Sequence, residues 1–153
     1  MRVPYLAARA TQPIPTLAGS YLRFRPILPV RITGPRDTRL RDALIDTGAD
    51  DTVFEEVIAS LLGVDLNHAE ERPVGLVGRP TAVRCRYAPV QLRISDGNLE
   101  TYEWTAVVGF VATRLRYNLL GHAGFLQFFH ADFRNEDREV ILSPNRLFPG
   151  RRI

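Results

Sequence analysis

A mainly β domain, a closed or folded-over sheet carrying one or two short helices, is the fold this sequence predicts. Three observations point there. Apolar and polar residues alternate with a period of two through most of the chain, turn residues break these runs at short intervals, and only two stretches have helical spacing. At 153 residues the chain fits one core. Its 45% hydrophobic and 24% charged residues are those of a folding globular protein rather than a disordered one.

From the N-terminus, Thr11 to Ser20 holds two prolines and a glycine, which suits an extended arm (residues 1–20) lying along another surface. Tyr21 to Thr33 alternates Leu22, Phe24, Ile27, Val30 and Ile32 with Arg23, Arg25 and Arg31, a strand bent or held at an edge by Pro26 and Pro29. A turn at Gly34 to Asp37 leads to a second strand, Thr38 to Asp46. Its last apolar residues, Ala43-Leu44-Ile45, signal full burial just ahead of a polar loop. Thr52 to Leu62 then places Val53, Val57, Ile58, Leu61 and Leu62 at helical spacing, with Glu55 and Glu56 near the positive end of the helix dipole and Gly63 as the stop.

Pro73 to Pro80 has Gly75 and Gly78 flanking the apolar pair Leu76-Val77, and strand-like sequence follows to Ile94. This is read as a hairpin with a mobile tip. Ser95-Asp96-Gly97-Asn98 turns into a strand from Leu99 to Phe110, where Tyr102, Trp104, Ala106 and Val108 alternate with Thr101, Glu103 and Thr105. His122 to His130 has the length of a short amphipathic helix. Ala131 to Phe133 and Glu139 to Leu142 form a strand pair around the polar turn Arg134 to Arg138, and residues 146–153 are a tail. Trp104, Tyr102, Phe125, Phe128 and Phe129 are core or interface filler.

Charge and cysteine usage narrow the function. The net charge is +3, from 20 basic and 17 acidic residues, and the cations stand singly (Arg23, Arg25, Arg31, Arg36, Arg39, Arg41) rather than in a stripe with stacking aromatics, so no nucleic-acid partner is expected. Cys85 is the sole cysteine; it forms no disulfide within the chain and no metal motif, and reads as a small strand residue. Met1 to Ala10 lacks an apolar run of signal-peptide length and no stretch of about 18 apolar residues occurs, so no membrane partner and a cytoplasmic setting are expected. His68, His122 and His130 are scattered without a Ser or Cys motif, which speaks against a Ser-type triad.

The chemistry concentrates in Asp46-Thr47-Gly48-Ala49-Asp50-Asp51-Thr52. Taken alone, Asp46, Asp50 and Asp51 also suit a solvated turn capping the next helix. They lack calcium-loop spacing and a second acidic cluster, so no metal and no cofactor are expected. The apolar strand in front, the Ala-Asp-Asp-Thr continuation, the glycine-bearing hairpin at 74–79 and Asn118-Leu119-Leu120-Gly121 about 70 residues on together resemble the retroviral-type (retropepsin-like) aspartic proteases, in the family's order from about Pro26 to Pro144.

That resemblance implies a retropepsin-like β-barrel lobe over residues 21–145, acting as a two-fold homodimer on peptide or protein substrates. Asp46 would be the catalytic carboxylate. Thr47 would bond across the dimer axis, Gly48 would let backbone and substrate approach, and Leu119, Leu120 and Gly121 would support the loop from below. Gly48, Ala49, Asp50 and Asp51, with Gly75, Leu76, Val77 and Gly78 of the hairpin, would contact substrate. Independently of resemblance, hydrolysis of a peptide by water needs both a base and an acid, which two carboxyls sharing a proton supply. This chain has one such motif, since Asp96-Gly97 lies in a polar turn, and the second Asp46 has to come from a second copy.

Two departures carry expectations of their own. His122 stands where many retroviral enzymes have Arg after the glycine, which makes that support pH-sensitive or absent. Ala49 offers no hydroxyl donor to the carboxylate, which predicts activity reaching into weakly acidic or near-neutral solution. The alternative function is a catalytically silent module of the same fold that dimerises or binds peptides.

Overall fold

The computed structural model of the chain describes residues 1–76, 80–97 and 100–153. Thirteen strands and one α-helix occur among them, in the order β1 (Arg2–Pro4), β2 (Leu6–Ile14), β3 (Ser20–Arg25), β4 (Ile27–Thr33), β5 (Thr38–Ile45), β6 (Val53–Glu55), α1 (Glu56–Leu62), β7 (Glu70–Val74), β8 (Val83–Ser95), β9 (Thr101–Val111), β10 (Asn118–Leu120), β11 (Phe129–Arg134), β12 (Glu139–Pro144) and β13 (Arg151–Arg152). The expectation of a mainly β domain holds. Strands β9, β6, β10, β5, β4 and β8 pair in that order, and β8 pairs back onto β9, closing a six-stranded barrel. Closure leaves the ring without a free edge.

The longest pairing, β8 against β9, is antiparallel and runs from Cys85↔Val111 to Ser95↔Thr101. Side chains alternate across a strand, so Val90, Leu92 and Ile94 on β8 and Tyr102, Trp104, Ala106 and Val108 on β9 all turn inward and are buried. Val30 and Ile32 of β4, Ala43 and Ile45 of β5 and Phe54 of β6 join them in one apolar cluster with Ile58, Ala59 and Leu62 of α1. Each fully buried large side chain of this kind contributes about 1.5–3 kcal/mol relative to exposure. Rings close one end of the cluster: Trp104, Phe125, Phe129 and Phe148 lie with centroids 5.1 to 6.0 Å apart, within the range of favourable tilted and edge contacts.

Several expected elements differ. The helix predicted over Thr52 to Leu62 begins only at Glu56, because Val53 to Glu55 are extended and pair in parallel with Gly109 to Val111. Sheet pairing overrides the helical spacing there, and Val57 and Leu61, two of the apolar residues in that spacing, are exposed. Gly63 does end the helix, at φ +72°. Over His122 to His130 no α-helix forms: Gly124 takes φ +89°, and the amides of Leu126 and Gln127 bond back five residues to Gly121 and His122 before a single 3-10 turn at Leu126–Phe128.

The N-terminal arm is not a free extension. Val3 pairs with Val140 in a three-stranded sheet, and β2 and β3 form a hairpin that turns through Pro15–Leu17 with Ala18 and Gly19 left-handed. The strand foreseen from Tyr21 to Thr33 is two strands broken at Pro26, and the tail at 146–153 places Arg151 and Arg152 against Glu103 and Tyr102. No helix among the described residues is long and apolar enough to cross a membrane.

Glu103 breaks the inward-outward alternation, since it is buried at 5% exposure near the start of β9. Arg93 on the paired strand bonds its Oε2 at 2.9 Å and Arg151 of β13 bonds its Oε1 at 3.0 Å. The Arg93 bond, with help from Arg151 and against the opposing effect of burial, holds the Glu103 carboxyl below the usual carboxylate range. A carboxylate lowered in the folded state adds stability above its unfolded value, and this is lost as pH falls through the folded one. We expect urea unfolding of the wild type to lose stability as pH drops below the ordinary 4.5, and Glu103→Gln to be less stable at neutral pH with a flatter acid limb.

Candidate active site

Asp46 follows directly on Ile45, the last residue of β5, where the barrel wall gives way to a loop. Burial of Ala43 and Ile45 anchors that strand end, while Leu44 points the other way into a cleft. The loop is pinned by β10. Asn118 to Leu120 pair in parallel with Ala43 to Ile45 on one side, and Leu119 pairs antiparallel with Val53 on the other, so β10 lies between the two strands that the loop joins.

Backbone bonds continue this clamp past the strand ends. The Asp46 amide donates to Leu120 O at 3.1 Å, His122 N–H to Ala49 O at 2.9 Å, Ala123 N–H to Asp50 O at 2.8 Å and Thr52 N–H to Ala123 O at 2.9 Å. Gly121 is required by the closeness of this approach, since a Cβ there would stand 2.2 Å from Asp51 O. Asn118 ties both flanks together, its Nδ2 donating to Asp42 O and its Oδ1 accepting from the Glu55 amide. The loop therefore has little freedom to relocate Asp46.

Within the loop the Gly48 amide donates to Asp46 Oδ1 at 2.9 Å, fixing the carboxylate's orientation. A Cβ on Gly48 would crowd that same oxygen at 3.3 Å. Thr47, Gly48 and Asp50 are exposed, and Ala49 and Asp51 half-buried. Asp46, Gly48, Ala49, Asp50 and Asp51 line an open cleft of about 880 Å³, together with Pro73, Val74, Gly75 and Leu76 of the β7–β8 hairpin. Thr47 is not among the lining residues. Val77 and Gly78, also expected to contact substrate, lie outside the described residues. Leu119 reaches the cleft as well as supporting the loop, whereas Leu120 is fully buried.

Other residues of the site carry no motif. Tyr87 donates its hydroxyl to Asp51 Oδ2 at 2.7 Å. Burial first, and then this bond, push the phenol well above its ordinary range, so it remains a donor at any physiological pH. Cys85, on the same face of β8, is fully buried, and its thiol is pushed up chiefly by burial, which keeps it an inert packing group. The sequence did hold a sign of this cluster: Gly109, an isolated glycine in an apolar strand, marks a close approach, and a Cβ there would meet Cys85 Sγ at 2.4 Å. Arg25, Arg116 and Tyr117 also line the cleft. They come from β3 and from the segment before β10, far apart in sequence.

His122 contributes its backbone to the clamp, and among the described residues its imidazole makes no hydrogen bond. No protein-family model matches the chain, and no curated protein matches it.

Two substitutions separate backbone from side chain in this clamp. Gly121→Ala forces the new methyl against Asp51 O and is expected to cost about 1–3 kcal/mol or more, whereas His122→Ala is expected to stay within about 0.5 kcal/mol. Urea denaturation of both variants measures this.

Proposed function

We propose that the chain is one half of a retroviral-type aspartic endopeptidase, in which Asp46 from each of two copies forms the catalytic dyad. The observation that carries this reading is the position of Asp46: at a strand end anchored by the buried Ala43 and Ile45, on a loop clamped by a second strand, with its carboxylate at the wall of a peptide-sized cleft. The β7–β8 hairpin, which lines the same cleft, suits an extended peptide bound along loop and hairpin.

The chemistry dictates the second copy. A water held between two carboxyl groups, one ionised and one protonated, loses a proton to the ionised one as its oxygen attacks the scissile carbonyl carbon. The protonated one gives its proton to the carbonyl oxygen. Collapse of the tetrahedral intermediate re-forms the carbonyl as one of its two hydroxyls returns its proton to the ionised carboxylate, and the C–N bond breaks as the other carboxyl's proton passes to the leaving amine. One proton then remains shared by the dyad, as at the start. Asp50 and Asp51 line the cleft beside Asp46 but belong to the same loop, and Asp51 is already engaged by Tyr87. The symmetric partner supplies an equivalent carboxylate without disturbing that loop. A reducing, cytoplasmic setting suits a chain whose one cysteine is buried as a thiol.

The test is cleavage of a diverse peptide library by purified protein from weakly acidic to neutral pH. We expect cleavage that a statine-type transition-state mimic blocks, and that Asp46→Asn reduces by roughly 10³-fold or more while leaving the urea midpoint nearly unchanged. Absence of Asp46-dependent cleavage across that range would instead identify a silent dimerisation or peptide-binding module. Activity confined to strongly acidic solution would contradict the role given to Ala49.

A further inference from the structure

Beside the cleft lies a second, smaller groove of about 290 Å³, walled by Arg9, Arg23, Arg25 and Arg116 with Ala8, Ala10 and Thr11, and no carboxylate lines it. Arg25 and Arg116 line both spaces, so the groove opens off the cleft. Its shape follows from the β2–β3 hairpin: Arg23 and Arg25 are two apart and share a face, and Arg23 is opposite Ala8, whose methyl leaves the space beside the guanidinium unfilled.

We infer that this arginine groove binds acidic side chains of the peptide that occupies the cleft. Three features converge. The Arg25 Nε is buried and has no hydrogen-bond partner, a state that leaves a donor of a charged group unsatisfied until an acceptor arrives. The guanidiniums of Arg25 and Arg116 both sit over the Tyr117 ring, 5.5 and 5.7 Å from its centroid, which holds two like charges at the mouth of the groove. None of the four arginines is in an ion pair among the described residues, whereas Arg72, at the cleft itself, is held by Glu70.

The neighbouring charges favour a peptide over a nucleic acid. A phosphodiester strand in the cleft would run past Asp46, Asp50 and Asp51, and Tyr117 is already covered by cations rather than open for base stacking. A peptide can place an uncharged backbone over the acidic loop and one or two carboxylates in the groove, where forked guanidinium contacts are strong. That such a peptide is cleaved rests on the endopeptidase reading; that it binds does not.

The test uses the full chain carrying Asp46→Asn, so that peptides are not consumed. Fluorescein-labelled octapeptides with a central Leu-Phe pair carry two glutamates on one side or the other, or glutamines in their place, and binding is followed by anisotropy. We expect one glutamate peptide to bind about tenfold more tightly than its glutamine counterpart, with the difference shrinking in high salt. Adding R9Q and R23Q, which lie outside the cleft, should abolish that difference and leave glutamine-peptide binding and the circular dichroism spectrum unchanged.

Equal binding of the two peptides, or binding of neither, overturns the inference, as does a preference that survives R9Q/R23Q. Tighter, R9Q/R23Q-sensitive binding of a single-stranded oligonucleotide would assign the groove to nucleic acid and overturn it too. A parallel cleavage assay with the wild type separates the two claims. Groove-dependent binding without cleavage refutes the endopeptidase reading alone, and Asp46-dependent cleavage without acidic preference refutes the groove alone.

Discussion

Leu119 and Leu120 hydrogen-bond to β5 in parallel and Leu119 also faces β6 antiparallel, so a strand of three residues occupies the gap between two strands that are consecutive in sequence. The chain from 46 to 52 must then arch across the end of β10, and its carbonyls are taken up in turn by the amides of His122 and Ala123. Every other feature of the site depends on this insertion. It aims Asp46 outward from a buried strand, keeps the Gly48 amide on the carboxylate, and makes Gly121 the only residue type that fits beneath Asp51. It also closes the barrel, since β10 is the link between β5 and β6.

Much of this was legible from residue type and spacing because local physics wrote it. Ala43-Leu44-Ile45 ahead of a polar run announces full burial at a strand end, and the structure buries Ala43 and Ile45 but turns Leu44 to the cleft. The alternation in β9 announced Tyr102, Trp104, Ala106 and Val108; it fails at Glu103, whose burial depends on Arg93 and on Arg151 from a strand 48 residues away, and again from Gly109 to Val111, which are buried in succession. Failures elsewhere have the same origin. Val53 to Glu55 carry a helical pattern, yet pairing to Gly109 through Val111 decides their backbone. The fate of the N-terminal residues rests on Val140, a partner that periodicity cannot name.

The candidate site divides along the same line. Asp46, Gly48 and the residues around them form a contiguous motif, so the sequence could propose them. Tyr87, Arg25, Arg116 and Tyr117 reach the cleft from three separate segments, and arginines that stand singly along the chain collect at one place in space. The result is a cleft lined by both carboxylates and guanidiniums. His122 shows the converse: a position that stands out in the sequence contributes to the fold through its backbone, its amide bonding Ala49 and its carbonyl accepting from Gln127.

The central claim is that a catalytic unit contains two copies of Asp46, and mixing tests it most directly. Wild type and Asp46→Asn are combined in varying proportion under conditions that allow subunit exchange, at constant total protein, and peptide cleavage is measured. If the site is shared, only pairs of wild-type chains act, so activity follows the square of the wild-type fraction and falls to about one quarter in an equal mixture. A linear dependence, with about one half remaining, would mean that each chain acts by itself and would contradict the account.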